Sequence, residues 1–167
     1  EHARMIPPGQ GRKGMLGLLT LLREEPTAEG GGATSLGSAI QSLNRMARRS
    51  RLVVIISDFR GPRDWSSALV ELAGRHSVIA VEIQDPREQE IPDVGELWLV
   101  DPETGRQLRV DTRSKKLRER FANAAVQDRA EVAGMLARAG AQHVVLSTRG
   151  DWLRALAGFL NAKGTAR

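Results

Sequence analysis

The stretch Leu52-Val-Val-Ile-Ile-Ser-Asp-Phe59 decides the fold, because it runs from uninterrupted apolar residues directly into a serine and a carboxylate. A short β-branched run without polar alternation is typical of a strand buried on both faces, in the middle of a parallel sheet. Asp58 then lies at the carboxyl end of that strand. Ligands of open α/β sheets bind at this edge, so Asp58 is the first candidate site residue.

Size and composition limit the classes of protein to which the chain can belong. Its 167 residues, of which 41% are hydrophobic, suffice for one domain with its own core. The absence of cysteine excludes disulfides and thiolate zinc sites. No apolar run approaches the length of a membrane span and no signal peptide is recognisable, so we expect a cytoplasmic protein. A start at Glu1 without an initiator methionine suggests a fragment or a processed product.

The positive charge of the chain raises the question of nucleic acid, because the formal net charge is +5. The basic residues are scattered along the sequence rather than clustered. Only three phenylalanines and three tryptophans, and no tyrosine, are present to stack on bases. An ordinary solvated, arginine-rich surface explains this pattern better than nucleic-acid binding does.

The spacing of apolar residues predicts helices and strands in alternation along the chain. We predict helices at residues 15–22, 36–47, 65–72, 114–139 and 151–160, and strands at residues 2–6, 52–56, 78–83 and 143–147. Residues 97–100 and 107–110 flank a Pro- and Gly-containing turn, which is typical of an antiparallel hairpin. The pattern predicts an α/β fold with a mostly parallel sheet and right-handed β-α-β crossovers.

One pair of oxygen-bearing residues forms a candidate metal site. Thr34 lies in a glycine-rich loop that enters a helix, and the strand after that helix ends at Asp58. The topology brings both residues to the same edge of the sheet, where a hydroxyl and a carboxylate suit Mg²⁺. Two protein ligands hold the ion weakly, so we expect millimolar binding or none. Alternatively, Thr34 and Asp58 merely cap the segments that follow them.

Other polar residues give weaker signals. His2, His76 and His143 share no metal-ligand spacing, and we expect them to be structural or exposed. The carboxylates of Asp85-Pro-Arg-Glu88 and Glu90 follow a predicted strand and could bind a cation, but a solvated loop explains them more simply. Spacing alone assembles no combination of nucleophile, base and orienting acid.

Several motifs resemble known families. Gly32-Ala-Thr-Ser-Leu-Gly-Ser-Ala-Ile40 and Val53-Val-Ile-Ile-Ser-Asp-Phe59 are similar to the second and third motifs of the metal ion-dependent adhesion site in von Willebrand factor A domains. More closely, a set of motifs resembles the bacterial family called domain of unknown function fifty-eight: Ile6-Pro-Pro-Gly9, Gly11-Arg12, Ser57-Asp-Phe59, Asp85-Pro-Arg-Glu88, Leu99-Val-Asp-Pro-Glu-Thr-Gly105 and Val110-Asp-Thr112. The resemblance covers nearly the whole chain.

The resemblance implies a fold that this sequence carries only in part. It implies a three-layer, Rossmann-like, von Willebrand A-like sheet with helices on both faces, in a single partial domain at residues 1–167. Family members begin with a strand ending in Asp-x-Ser-x-Ser, which this sequence lacks. Asp64-Trp-Ser66 matches that motif only partly, and we interpret Asp64 as a helix N-cap. Without the first strand, Leu52–Ile56 would form an exposed sheet edge, so we expect a homodimer through that edge. The alternative is a monomer in which the segment from His2 to Ile6 moves across to fill the vacant position.

The resemblance also implies a function. Members are typically encoded beside MoxR-type AAA+ ATPases, so the chain is expected to be a non-catalytic adaptor that presents client proteins to such an ATPase. The complete family domain would bind Mg²⁺ and use it to grip an acidic side chain of a partner, with Thr34 and Asp58 as the ligands retained here. The alternative is a metal-dependent hydrolase or phosphoryl-transfer enzyme that uses Asp58.

Overall fold

A computed structural model describes Ile6 and residues 9–24, 35–47, 49–100, 105 and 107–164. The chain falls into two compact units: residues 1–34 with 100–106, and residues 35–99 with 107–167. Thr34, His2 and most of the predicted strand at residues 2–6 lie outside the described residues, as does most of the predicted turn at residues 101–105.

The first unit contains helix α1 (Gly11–Glu24), which confirms the helix predicted around residues 15–22. Its apolar residues Met15, Leu18, Leu19 and Leu22 recur at helical spacing and are exposed.

The second unit contains the remaining elements. In chain order they are α2 (Leu36–Met46), β1 (Leu52–Ser57), α3 (Trp65–Ala73), β2 (Ser77–Gln84), a 3₁₀ turn (Pro86–Glu88), β3 (Glu96–Val100), β4 (Gln107–Asp111), α4 (Lys115–Arg138), β5 (Gln142–Ser147) and α5 (Trp152–Gly164). The predicted helices and strands of this unit are all present, and α5 continues beyond the predicted end at residue 160. Among the helices that the structure describes, none has both the length and the apolar character that crossing a membrane requires.

The main sheet has the strand order β1-β2-β5, and all its strands are parallel. Its register places Val54 beside Ile79 and Ile79 beside Gln142. Strands β3 and β4 form a separate antiparallel pair. The predicted α/β class, with a mostly parallel sheet and one hairpin, is confirmed.

Helices cover the two faces of the main sheet unequally. Helices α2, α3 and α4 pack on one face and form the larger core, whose best-buried side chains include Trp65, Leu69, Leu72 and Leu136. On the other face, α5 contributes Leu156 and Phe159 to a smaller core. That smaller core contains residues of β2 and β5 but none of β1. The predicted helices on both faces are therefore present, but the second layer leaves β1 uncovered.

Strand β1 corrects the first expectation from the sequence. Ile55 is buried, but Leu52, Val54 and Ile56 are 63%, 51% and 68% exposed, and β1 lies at the edge of the sheet. The prediction of a mid-sheet strand buried on both faces is wrong for the described chain. The prediction of an exposed hydrophobic edge is confirmed within the part of the chain that the structure describes. An apolar run shows that a strand can be covered on both faces, but not whether the covering elements are present.

Candidate functional site

Asp58 lies immediately after β1, at the carboxyl edge of the sheet, as predicted. Its Oδ1 atom accepts a hydrogen bond from the backbone N–H of Arg60 at 3.1 Å, which closes an Asx turn. The residue is exposed, and its Oδ2 atom has no hydrogen bond or salt bridge to the described residues. One carboxylate oxygen thus caps the following segment, and the other is free to meet a ligand.

The backbone after Asp58 adopts a rare conformation. Phe59 has a φ of 53°, the only positive value at a non-glycine position among the described residues. Its side chain is buried and packs edge-on against Trp65, with ring centroids 5.4 Å apart. The guanidinium of Arg63 donates to the Phe59 carbonyl oxygen. Such a conformation costs about 1–3 kcal/mol and persists only where its surroundings hold it, so the direction of Asp58 is fixed by the core beneath it.

Asp58 opens onto a crevice of about 370 Å³ with a mixed apolar and charged lining, at the carboxyl ends of β1 and β2 and beside α4. The carboxylates of Glu82, Glu88 and Asp128 also line it. Arg60 pairs with Glu88 at 3.0 Å, and Arg63 pairs with Asp128. These two ion pairs, which sequence analysis missed, neutralise most of the charge around Asp58.

A buried polar network borders the same crevice. Glu82 is buried in β2, and its Oε2 atom lies 2.8 Å from Nε2 of His143. The side-chain amide of Gln84 donates to Glu82 Oε1 at 2.6 Å, and that of Gln89 donates to Gln84 Oε1 at 3.1 Å. Both carboxylate oxygens of Glu82 are therefore satisfied, as burial of a charge requires. His143 has a structural role, in line with its prediction.

The other expected polar residues also have structural roles. His76 is buried, and its Nδ1 atom accepts the Arg51 backbone N–H at 3.3 Å. Asp85 accepts from the Arg87 backbone N–H at 2.9 Å and so caps the 3₁₀ turn. In the part of the chain that the structure describes, no group of three or more His, Asp or Glu side chains is placed to hold a metal ion.

The predicted meeting of Thr34 with Asp58 stays a prediction, because Thr34 lies outside the described residues. Its neighbour Ser35 is the N-cap of α2, where its Oγ atom accepts from the Ser38 backbone N–H at 3.0 Å. The Ser35 hydroxyl also donates to Asp64 Oδ2 at 2.8 Å. The start of α2 is thereby joined to the residue that precedes α3.

The interpretation of Asp64 as a helix N-cap is confirmed for its position before α3. Asp64 occupies the N-cap position of α3, but its carboxylate makes no capping hydrogen bond there. It instead lies against the amino end of α2, where it accepts from Ser35 and where the helix dipole favours a negative charge. The sequence shows the position of Asp64 but not this contact, because the two residues lie 29 positions apart.

Gly37 permits the close approach of Asp64 to α2, and replacing it with alanine tests that packing. A Cβ atom at Gly37 would lie 2.7 Å from Asp64 Oδ2 and 3.0 Å from the Asp64 backbone carbonyl carbon. Gly37→Ala should therefore lower the free energy of unfolding by about 1–3 kcal/mol in urea denaturation. Gly158→Ala in α5, where a Cβ meets open space, should instead stabilise by about 0.5–1 kcal/mol. Equal effects of the two substitutions would contradict this packing.

A second surface lies on the opposite face of the sheet. A groove of about 640 Å³ runs between the exposed side of β1 and helix α5. Its lining is apolar apart from Ser147 and Thr148, and it includes Leu52, Val54 and Ile56 from β1 and Trp152 from α5. No charged residue lines it. Exposed apolar surface of this extent is typical of an interaction or ligand-binding site.

Comparison with known proteins identifies the family. The family described as "Protein of unknown function DUF58" matches residues 1–131, a range that contains every motif on which the resemblance rests. The chain belongs to the DUF58 family. Asp58, the crevice residues of α4 up to Asp128 and the β1 edge all fall within the part that DUF58 covers. Membership is thus confirmed, whereas the von Willebrand A-like character and the MoxR-type partner stay predictions.

Mycobacterial relatives of this DUF58 chain occur in two lengths. An uncharacterized protein of Mycobacterium avium is 39% identical over 160 residues, which make up 95% of this chain and 93% of the relative. Uncharacterized proteins of Mycobacterium bovis and Mycobacterium tuberculosis are likewise 39% identical over 160 residues, but the chain spans only 50% of their length. No solved structure matches the chain at a significant level.

Proposed function

We propose that this DUF58 chain is a non-catalytic protein-interaction module that serves a MoxR-type AAA+ ATPase as an adaptor or as a presenter of client proteins. The nature of the partner comes from the family resemblance, and the binding site comes from the geometry at Asp58. The observation that carries the proposal is the free Oδ2 atom of Asp58, which is exposed at a strand end and fixed by the buried Phe59. Such a carboxylate suits a recognition contact that must be held in place.

Mg²⁺ is the ion that this site would use. Asp58 would supply one oxygen, Thr34 a second, and an acidic side chain of the partner a third, with water completing the shell that Mg²⁺ prefers. The chain's own role is to hold the Asp58 oxygen in position, with its Oδ2 atom outside every hydrogen bond and salt bridge of the described residues. Because the chain offers few ligands, the ion should bind firmly only when the partner is present.

The alternative of a metal-dependent hydrolase or phosphoryl-transfer enzyme uses the same aspartate. Such chemistry needs further acidic ligands or a base beside Asp58. The neighbouring carboxylates of the crevice each have a partner, since Glu82 lies within hydrogen-bond distance of His143, Glu88 pairs with Arg60, and Asp128 pairs with Arg63. Their engagement favours the interaction module over the enzyme.

The test is binding of the purified MoxR-type ATPase from the same genome, measured with Mg²⁺ and again with EDTA. Asp58→Ala should weaken binding about tenfold or more, and EDTA should weaken wild-type binding equally. Asp111→Ala is the matched control, because Asp111 is also exposed at a strand end and also closes an Asx turn, with the Arg113 N–H at 3.0 Å. Asp111→Ala should leave binding unchanged.

Two outcomes would contradict the proposal. Binding that ignores EDTA, or that falls equally for Asp58→Ala and Asp111→Ala, would remove Asp58 from the interface. Hydrolysis of a simple phosphate ester by the wild type, lost on Asp58→Ala substitution and retained by Asp111→Ala, would instead support the enzymatic alternative.

A further inference from the structure

One arginine of the crevice beside α4 has no partner. Arg129 belongs to α4 and lines the crevice. Its side chain is half-buried, and its guanidinium makes no ion pair or hydrogen bond with the residues that the structure describes. The other two arginines of the lining, Arg60 and Arg63, are each paired with a carboxylate. A partly desolvated guanidinium is stabilised by an anion that restores its hydrogen bonds.

The residues that line the crevice all belong to the second unit, between positions 58 and 132. They come from the segment after β1, the end of β2, the region of the 3₁₀ turn and one face of α4. No residue of β1 itself lines it. The crevice therefore does not depend on the exposed edge of that strand.

A row of side chains on α4 leads from an apolar surface to Arg129. Phe121, Ala125 and Arg129 are spaced four residues apart, so they lie on the same face of the helix. Phe121 is 38% exposed and lines the crevice. Successive members of the row are about 6 Å apart along the helix. An extended peptide repeats its side-chain direction about every 6.6 Å, so a carboxylate and an apolar side chain two residues apart match this row.

The charges of the crevice favour a carboxylate over a phosphate. The lining also contains four carboxylates, those of Asp58, Glu82, Glu88 and Asp128. These groups repel a dianion more strongly than a monoanion. A carboxylate carries a single charge and meets a planar guanidinium with two parallel hydrogen bonds. The volume of about 370 Å³ lies near the lower end of the range of ligand sites, about 300–1,000 Å³, so the crevice accepts one or two side chains of a partner.

We infer that Arg129 binds a carboxylate of an acidic partner segment, and that an apolar side chain of the same segment packs against Phe121. The inference deepens the proposed function, and it rests on that function for the nature of the partner. It adds a contact that requires neither Mg²⁺ nor Thr34. A partner with two acidic residues is then held at two points, through Mg²⁺ at Asp58 and directly at Arg129.

A peptide titration without metal tests this contact. The probe is a blocked five-residue peptide with a central glutamate, a leucine at each end and alanine between them. Its control is the same peptide with a central glutamine. In EDTA, the glutamate peptide should shift the Nε–Hε NMR signal of Arg129, with a dissociation constant on the order of millimolar. The glutamine peptide should bind at least about fivefold more weakly, because it brings no charge to the guanidinium.

Substitutions locate the contact. Arg129→Gln should abolish the preference for the glutamate peptide, and Arg129→Lys should retain only part of it, because an ammonium lacks the planar pair of donors. Arg120→Gln is the matched control, since it removes the same charge from an exposed position of the same helix outside the crevice. It should leave the preference unchanged. Asp58→Ala should also retain it, which separates this contact from the metal-dependent one.

The MoxR-type ATPase shows whether the proposed partner uses the same contact. Arg129→Gln should weaken its binding about fivefold with Mg²⁺ and again with EDTA, whereas Asp58→Ala should act only when Mg²⁺ is present. If the ATPase does not bind the wild type, the proposed function fails, and the peptide titration still decides whether Arg129 holds a carboxylate.

Three results would overturn the inference. The first is equal binding of the glutamate and glutamine peptides to the wild type. The second is an equal loss of preference with Arg129→Gln and Arg120→Gln, which would indicate a general effect of charge. The third is binding of propionate at Arg129 as tightly as the peptide, which would indicate a site for a small free acid. The comparison of the two peptides uses the wild type, so it remains decisive if Arg129→Gln fails to fold.

Discussion

Replacement of Trp65 by alanine is expected to lower the free energy of unfolding by about 3–5 kcal/mol. Trp65 begins α3, is 1% exposed, and packs edge-on against Phe59. Its removal leaves a cavity in the larger core that the surrounding helices and sheet can close only in part. It also frees Phe59, whose left-handed backbone has no local reason to persist once its packing partner is lost.

A conservative variant distinguishes the contribution of the aromatic ring of Trp65 to stability from that of its N–H group. The indole Nε1 atom is buried without a hydrogen-bond partner among the described residues, and an unsatisfied donor of this kind costs stability. Trp65→Phe removes that donor and keeps an aromatic ring against Phe59. We therefore expect Trp65→Phe to lower the free energy of unfolding by only about 1–2 kcal/mol, which is much less than the loss expected for Trp65→Ala.

The measurement is urea denaturation followed by circular dichroism. Trp98→Ala provides the control, because Trp98 is 63% exposed on β3 and should change the free energy of unfolding by about 0.5 kcal/mol or less. A loss for Trp65→Ala no larger than that for Trp98→Ala would show that Phe59 and Trp65 do not form the support beneath Asp58.

The elements of the second unit could be predicted because each carries a periodic signal of its own. The apolar run of β2, the spacing of α4 and the residues around the hairpin each indicate one type of local structure. The position of Asp58 follows from the strand that precedes it. Its Asx turn matches the alternative that Asp58 caps the following segment, because an Asp side chain commonly accepts a hydrogen bond from the backbone N–H two residues along the chain.

The features that fix the site depend on contacts that local patterns do not encode. Phe59 has no glycine-like signature, and its positive φ arises from packing against Trp65. Strand β1 was expected in mid-sheet because its sequence is apolar on both faces, whereas its neighbours decide its actual exposure. The ion pair of Arg63 with Asp128 joins residues 65 positions apart, and no spacing rule connects them.

For the pair of Glu82 and His143, the sequence does contain a signal that indicates a buried polar contact. Glu82 interrupts the apolar run of β2, and a carboxylate within a buried strand needs a cationic or hydrogen-bonding partner. The partner could not be named from the sequence, because it depends on the register between β2 and β5, which places Glu82 beside Val145 and within reach of His143. Only the parallel pairing of β2 with β5, two segments far apart in the sequence, identifies His143 as the partner of Glu82.

Replacement of His143 by alanine is accordingly expected to lower the free energy of unfolding by about 2–4 kcal/mol. The substitution leaves the Glu82 carboxylate, whose side chain is 4% exposed, without the group 2.8 Å from its Oε2 atom. Removal of one member of a buried pair is costly because the other remains desolvated. Gln84 still donates to Oε1, which keeps the expected loss below that of a fully orphaned charge.

The structure offers controls that separate the pair from simple loss of volume. Val145→Ala alters the same strand at a half-exposed position and should cost less than about 1 kcal/mol. Glu82→Gln combined with His143→Ala removes the orphaned charge, so the double variant should be more stable than the sum of the single losses predicts, by about 1 kcal/mol or more in a double-mutant cycle. Strict additivity in that cycle would mean that Glu82 and His143 do not stabilise each other, and that the network beside the crevice rests on Gln84 and Gln89 instead.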